Sequence, residues 1–223
     1  MTLALIFDVF GTCVDWRTSV ARDVAAALPH VDAIQFAMDW RAEYDPAMKR
    51  IRDGGRGYVP LDDLHLENLH RVAARHGVTA PDSLNTAWER LDPWADVVPG
   101  LTHLRKTHII APCSNGSIAL MTRLARYAQL PWDCILGADL ARDYKPNPAV
   151  YLASCAALRL DPGEVMMVAA HNGDLFAARD AGLYTAFVPR PTEYGPDQAT
   201  DLAPEADWTV VARDFTDLAR QMA

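Results

Sequence analysis

A chain of 223 residues, half of them hydrophobic, can bury one sizeable core and support a smaller unit beside it. Its net charge of -8, with no Lys/Arg cluster to offset 29 acidic residues, excludes a general nucleic-acid binder, because nothing offers a basic face to phosphates. The four cysteines (Cys13, Cys113, Cys134, Cys155) form no CxxC pair and have no zinc-ligand histidine spacing, so reduced thiols are expected rather than a zinc site.

In chain order, the first element is the short apolar run "LALIF" (3–7), read as a buried strand closed by Asp8. That acid breaks the run too early for a signal peptide or a membrane span, so the chain is expected in the cytoplasm, where thiols stay reduced. From Arg17 to Asp92 the pattern becomes helix after helix: "SVARDVAAAL", "AIQFAMDWRAEYDPAMKRI" and "LDDLHLENLHRVAARHG", interrupted by the loop "RDGGRGYVP". The "GGRGY" part lacks the strand before and helix after that a phosphate-binding loop needs. Prolines and a glycine in "DPWADVVPGL" mark the return to the sheet. Residues 17–92 are therefore expected to form a helical cap inserted into an α/β core of residues 1–16 and 93–223.

Beyond the insertion, "THIIAPCSN", "DCILGADL", "EVMMVAAHN" and "YTAFVPR" are short apolar segments of strand character. Between them, "SIALMTRLARYAQL" and "NPAVYLASCAALRL" repeat apolar residues every three or four positions, as helices do. Strands alternating with helices predict a parallel sheet covered on both faces. Such sheets bind ligands beyond the carboxyl ends of their strands. The polar residues there are Asp8 and Thr12, then Ser114 and Asn115, Lys145 in "DYKPNP", and finally His171, Asn172 and Asp174.

These residues, in this order and with a helical insertion after the first, resemble the four motifs of the haloacid dehalogenase superfamily over nearly the whole chain. The resemblance implies a Rossmannoid core. Most members are magnesium-dependent phosphatases with "DxDGT" at the first motif, where the second acid protonates the leaving alcohol. Here that place is Phe10, and a phenyl ring transfers no proton. Aligned on the "AARDAG" that follows the fourth motif, a phosphatase shows two acids four residues apart, whereas this chain has Ala170 and Asp174. A methyl group in place of a carboxylate leaves a poorer magnesium site. Displacing halide from carbon needs a carboxylate nucleophile but neither a leaving-group acid nor a metal. The resemblance thus narrows to L-2-haloacid dehalogenases, which have an aromatic residue at the place of Phe10.

That resemblance implies roles residue by residue. Asp8 would attack carbon 2 of a small (S)-2-halocarboxylate with inversion, and water would hydrolyse the aspartyl ester to the (R)-2-hydroxy acid. Thr12, Ser114 and Asn115 would hold the Asp8 carboxylate and, with backbone amides, the substrate carboxylate. Lys145 would neutralise the crowded anions, Tyr151 would hydrogen-bond near Asp8 or the substrate, and Asp174 would orient Lys145 and the hydrolytic water. Arg41, in "DWRAEY" on a cap helix, would receive the halide, since a guanidinium offers several donors and keeps its charge. The fourth motif departs from the family's "SSNAWD": "AAHNGD" puts His171 where an asparagine is usual and Gly173 where a tryptophan is usual. Either the substrate differs in size or His171 takes over part of the water positioning; His171 is counted with the catalytic residues and Asn172 with the substrate-binding residues. The resemblance implies no cofactor and no metal, halide as product, and a homodimer. Two other readings stay open: a phosphatase using an atypical acid such as His171, and a catalytically idle member that binds a small carboxylate or a protein.

Overall fold

The computed structural model describes residues 2–223. Strand β1 (Ala4–Phe7) is buried along its whole length, as both faces of a central parallel strand must be. A tight turn leads to β2 (Val14–Asp15), after which the chain leaves the sheet. It runs through α1 (Trp16–Ala27), α2 (Ala33–Ala42), α3 (Tyr44–Arg52), α4 (Leu61–Arg75) and a 3-10 helix (Asp82–Glu89), and returns as β3 (Asp92–Pro93). β2 and β3 pair antiparallel, Val14 opposite Pro93 and Asp15 opposite Asp92.

Caps start the first two helices: Asp15 accepts from the Thr18 N–H and Asp32 from the Gln35 N–H, both at 3.0 Å. The segment "AIQFAMDWRAEYDPAMKRI", continuous by its apolar spacing, is two helices rather than one. Pro46 has no N–H for the Ala42 carbonyl and its ring would clash there, so the helix breaks at Glu43 and proline falls in the first turn of α3. Trp40 Nε1 donates to the His65 carbonyl at 2.9 Å and ties α2 to α4.

The remainder comprises α5 (Val97–Leu104), β4 (Ile109–Ser114), α6 (Ile118–Ala128), β5 (Leu136–Gly137), α7 (Ala138–Ala141), α8 (Pro148–Leu158), β6 (Val165–Ala169), α9 (Asn172–Asp180), β7 (Tyr184–Phe187), β8 (Val210–Val211) and α10 (Phe215–Gln221). Six parallel strands make the sheet expected from the sequence, in the order β5-β4-β1-β6-β7-β8. The period of two along β1 sends Leu5 and Phe7 into one apolar layer with α5, α6 and α10, and Ala4 and Ile6 into the other with α8 and α9. "DCILGADL" contributes only the two residues of β5, because α7 begins at once.

Since β1 lies between β4 and β6, with Ile6 opposite both Ala111 and Met167, the residues that follow these three strands emerge side by side. All four cysteines are free. Among the described residues no helix is long and apolar enough to cross a membrane.

Candidate active site

Asp8 leaves the carboxyl end of β1 and is met from three directions. Its Oδ2 accepts from Thr12 Oγ1 at 2.7 Å and lies 3.1 Å from His171 Nδ1, while Oδ1 accepts from Lys145 Nζ at 2.9 Å. Thr12 is fixed in turn, because its Oγ1 accepts the Ala170 N–H at 2.9 Å. Lys145 Nζ also donates to Asp174 Oδ2 at 2.5 Å, and the Tyr151 hydroxyl donates to Asp174 Oδ1. Burial pushes the Asp8 carboxyl up, but Lys145, His171 and Thr12 together outweigh it and hold the group well below the usual carboxylate range. Burial likewise opposes the Lys145 ammonium, and Asp174 and Asp8 overcome it, so the lysine pKa is raised. Asp174 goes the other way: burial raises it more than Lys145 lowers it. Asp8 is the carboxylate kept free of its proton.

His171 stands between two acids. Nδ1 faces Asp8, and Nε2 lies 2.8 Å from Oε2 of Glu193, which sits in the loop after β7 with 1 % exposure. Burial disfavours the imidazolium, but Glu193 and Asp8 prevail and raise the His171 pKa well above its ordinary value. The other Glu193 oxygen accepts from Trp16 Nε1 at 2.9 Å. This carboxylate rests directly on Gly11: a Cβ built there would stand 2.1 Å from Oε1 and 2.3 Å from Cδ, and the Gly11 φ is +85°. Gly11→Ala is expected to lose about 1–3 kcal/mol to the left-handed backbone, with a further loss from the displaced acid, read by urea unfolding.

The two shifts act on stability with opposite signs. Asp8 has a depressed folded pKa, so its contribution is present above about pH 4, the unfolded value, and is lost as pH falls from there. His171 has a raised one, so its contribution is full below about pH 6.5 and is lost as pH rises through the folded value. Urea titrations across pH should show both limbs, and His171→Asn should remove the His171 contribution to the alkaline one.

These groups line one side of a cavity of ≈ 390 Å³, and the inserted helices close the other with Arg41, Tyr44 and Met48. That volume suits a small organic ligand. Phe10 forms an apolar wall, edge-on to Trp88 at 5.8 Å and to Tyr44 at 6.3 Å between ring centroids. Gly173 leaves the opposite rim open, with nothing within 4 Å of an added Cβ. The Arg41 guanidinium lies 4.0 Å from the Tyr44 ring centroid and 5.6 Å from that of Trp16. Its Nε is buried without a hydrogen-bond partner, and Asp45, the acid one turn on, pairs instead with Arg52 at 2.7 Å. Among the described residues Arg41 makes no salt bridge, which leaves a cation available to an anion in the cavity.

Several expected contacts are corrected. Ser114 does not hold Asp8: its Oγ accepts from the Gly116 N–H at 3.0 Å and shapes the turn after β4. Asn115 lines the cavity, but its Oδ1 accepts from the Lys145 backbone N–H at 2.8 Å and so places the lysine rather than the aspartate. Tyr151, expected near Asp8 or the substrate, bonds Asp174, which Lys145 links to Asp8, and does not itself line the cavity. Asn172, counted with the substrate-binding residues, does not line the cavity. Its Nδ2 donates to Asp201 Oδ1 and the Ala203 carbonyl, and its Oδ1 accepts from the Glu205 N–H and Trp208 Nε1, each at 3.0 Å. Both donors and both lone pairs are spent on the chain after β7. Glu193, Tyr44 and Tyr194 stand at or beside the cavity without any motif to announce them.

The family model for haloacid dehalogenase-like hydrolases matches residues 2–182. The chain belongs to this family. Among solved structures it is similar to a defluorinating L-2-haloacid dehalogenase, with 49% identity, TM-score 0.96, and coverage of 99% of this chain and 95% of that one. A second L-2-haloacid dehalogenase structure shares 45% identity at TM-score 0.96 and covers both chains completely. An (S)-2-haloacid dehalogenase of Pseudomonas sp. (strain YL) is 31% identical over 194 residues, 83% of this chain and 82% of that protein.

The superfamily's phosphatases use magnesium, and the residues here do not fit it. A divalent cation would draw on the Asp8 and Asp174 carboxylates, and both are already bound to the Lys145 ammonium. Residue 170 offers a methyl group where such a site needs a further oxygen ligand. Among the described residues no group of three or more His, Cys, Asp or Glu side chains is placed to hold a metal.

Proposed function

We propose that the chain hydrolyses small (S)-2-haloalkanoic acids to (R)-2-hydroxy acids and halide through an ester on Asp8. The observation that carries this reading is the pairing of a deprotonated, Lys145-bound Asp8 with an apolar Phe10 where a proton-donating acid would serve a phosphate ester. Halide leaves as a stable anion and needs no proton. The names of the relatives support the same reaction, with a 2-haloacid as substrate and halide as product.

Asp8 attacks carbon 2 from the side opposite the halogen, which inverts that carbon. Phe10 keeps water from solvating the nucleophile. Charge grows on the departing halide, and Arg41 is the cation on the inserted face of the cavity, so it takes that charge. Thr12 and Lys145 hold the Asp8 carboxylate, Asp174, itself fixed by Tyr151, holds Lys145, and Asn115 with neighbouring amides receives the substrate carboxylate. Water then attacks Asp8 Cγ and frees the hydroxy acid. In this reading residues 17–92 act as a helical cap that supplies the halide site, and residues 1–16 and 93–223 as the core that supplies the nucleophile. A homodimer in a reducing cytoplasm belongs to the same reading, and four free thiols suit that compartment.

The test offers L- and D-2-chloropropionate with excess chelator and measures chloride. Release from the L-enantiomer alone is expected, and no chloride from either one would sink the reading. Fluoroacetate is added as a third arm because one relative is named as defluorinating. Arg41→Gln is expected to lower kcat about 100-fold or more with a smaller change in KM, since the guanidinium acts on charge that appears only as the halide leaves.

A further inference from the structure

We propose that His171 is the base that takes the proton of the hydrolytic water and that Glu193 is the residue that positions it, the two forming a dyad that serves only the second half of the reaction. The inference rests on the dehalogenase reading above and assigns work that the halide-expelling step does not need.

The geometry is that of an oriented imidazole. One ring nitrogen, Nδ1, looks into the site at Asp8, and the other, Nε2, is bound at 2.8 Å by a carboxylate that is itself fixed by Trp16 and seated on Gly11. A nucleophile, a histidine and a buried acid in line are what hydrolases of unrelated folds use to turn over an acyl enzyme. Asp174, the other acid at the cavity, is less suited to the task. Each of its oxygens already accepts a hydrogen bond, one from Lys145 and one from Tyr151, so neither faces the cavity free to take a proton from water.

In the resting site both ring nitrogens face carboxylate oxygens, which only accept, so the ring carries both protons. Alkylation of Asp8 converts one of those two anions to a neutral ester. With only Glu193 left to hold the charge, the Nδ1 proton passes to solvent through the cavity that His171 lines. A water entering from the cavity as the 3.1 Å contact between Nδ1 and the Asp8 oxygen opens then forms the new O–C bond at Cγ as its proton moves to Nδ1. The bond from Cγ to the substrate oxygen breaks, and the leaving alkoxide takes that proton to become the hydroxy acid. Asp8, now a carboxylic acid, returns its remaining proton to Nδ1, and the resting pair is restored. The net products are hydroxy acid, halide and one proton.

Glu193→Gln preserves shape and the bond from Trp16 while removing the charge behind the ring. In a rapid-quench experiment with enzyme in excess over L-2-chloropropionate, chloride and lactate are followed in the same sample and the protein is weighed intact. For Glu193→Gln, ester hydrolysis is expected to slow at least about 100-fold relative to chloride release, so that a covalent adduct of the substrate accumulates on the protein. His171→Asn, which gives a second readout should the buried Gln fold poorly, is expected to trap the same adduct. The wild-type hydrolysis rate should rise with pH through one ionisation that His171→Asn lacks. The groups facing the ring are Asp8, Glu193 and Tyr194, with Lys145 and Arg41 across the cavity, and only Asp8 changes charge between the two half-reactions. Chloride release and hydrolysis slowed in equal proportion, or turnover without an adduct in both variants, would overturn the dyad and leave the dehalogenase reading standing. A wild-type protein that releases no chloride would overturn both.

Discussion

Asp8→Asn is expected to abolish halide release from a 2-haloacid, with a loss of about 10⁴-fold or more in kcat, as removal of a covalent nucleophile does elsewhere. Asparagine fills the same space and can still accept from Thr12, so the fold should persist; its amide lacks the electron pair and charge that form the ester. The variant also leaves Lys145 with one counter-ion, Asp174, and His171 with one, Glu193. Halide measured under excess chelator, beside a urea melt of the same preparation, separates lost chemistry from lost structure. Release that is undiminished in the variant would remove Asp8 from its role.

Lys145→Met is expected to damage stability and activity together. The ammonium is buried between two carboxylates, and removing it leaves Asp174 without a cation and Asp8 with His171 alone. Breaking a buried ion pair from one side costs about 3–5 kcal/mol. The Asp8 carboxyl, held low by Lys145 first and by His171 and Thr12 after it, then moves up, so the acid limb of the rate profile shifts to higher pH. Adding Asp174→Asn removes one of the stranded charges and should return part of the stability without returning the activity. Urea unfolding of the single and double variants, with halide release at several pH values, measures each part. A single variant as stable as the wild type would show that the cluster is more hydrated than its burial indicates.

What could be read from the chain and what could not divide along the range of the contacts. β1 and Asp8 are legible because an apolar run that stops at an acid is a local pattern. The sheet and its helices follow from alternation of the same kind, and the chemical meaning of Phe10 follows from one side chain lacking a proton. The split between α2 and α3 was also present in the sequence, in Pro46, and apolar spacing alone overrode it. Asn172 misled because an asparagine after a strand looks like a ligand, whereas all its partners come from residues 201–208, which spacing does not connect to it. Glu193 was hidden for the same reason. It lies in an aperiodic loop, and its partners are 22 and 177 residues away in the chain. β5 and β8, two residues each, are too short to show a period.

The antiparallel pair of β2 and β3 brings the two crossings between sheet and inserted helices to one place, with Val14 beside Pro93. Everything between them departs and returns through a single doorway. The entropy of closing a chain segment rises only with the logarithm of its length, by about 0.6 kcal/mol for each doubling. The doorway therefore places little constraint on how much protein hangs from it. A lineage could exchange the inserted helices for a larger or smaller set, and with them the side of the cavity that Arg41, Tyr44 and Met48 line, while Asp8 at the end of β1 and Lys145 in the loop before α8 kept their places.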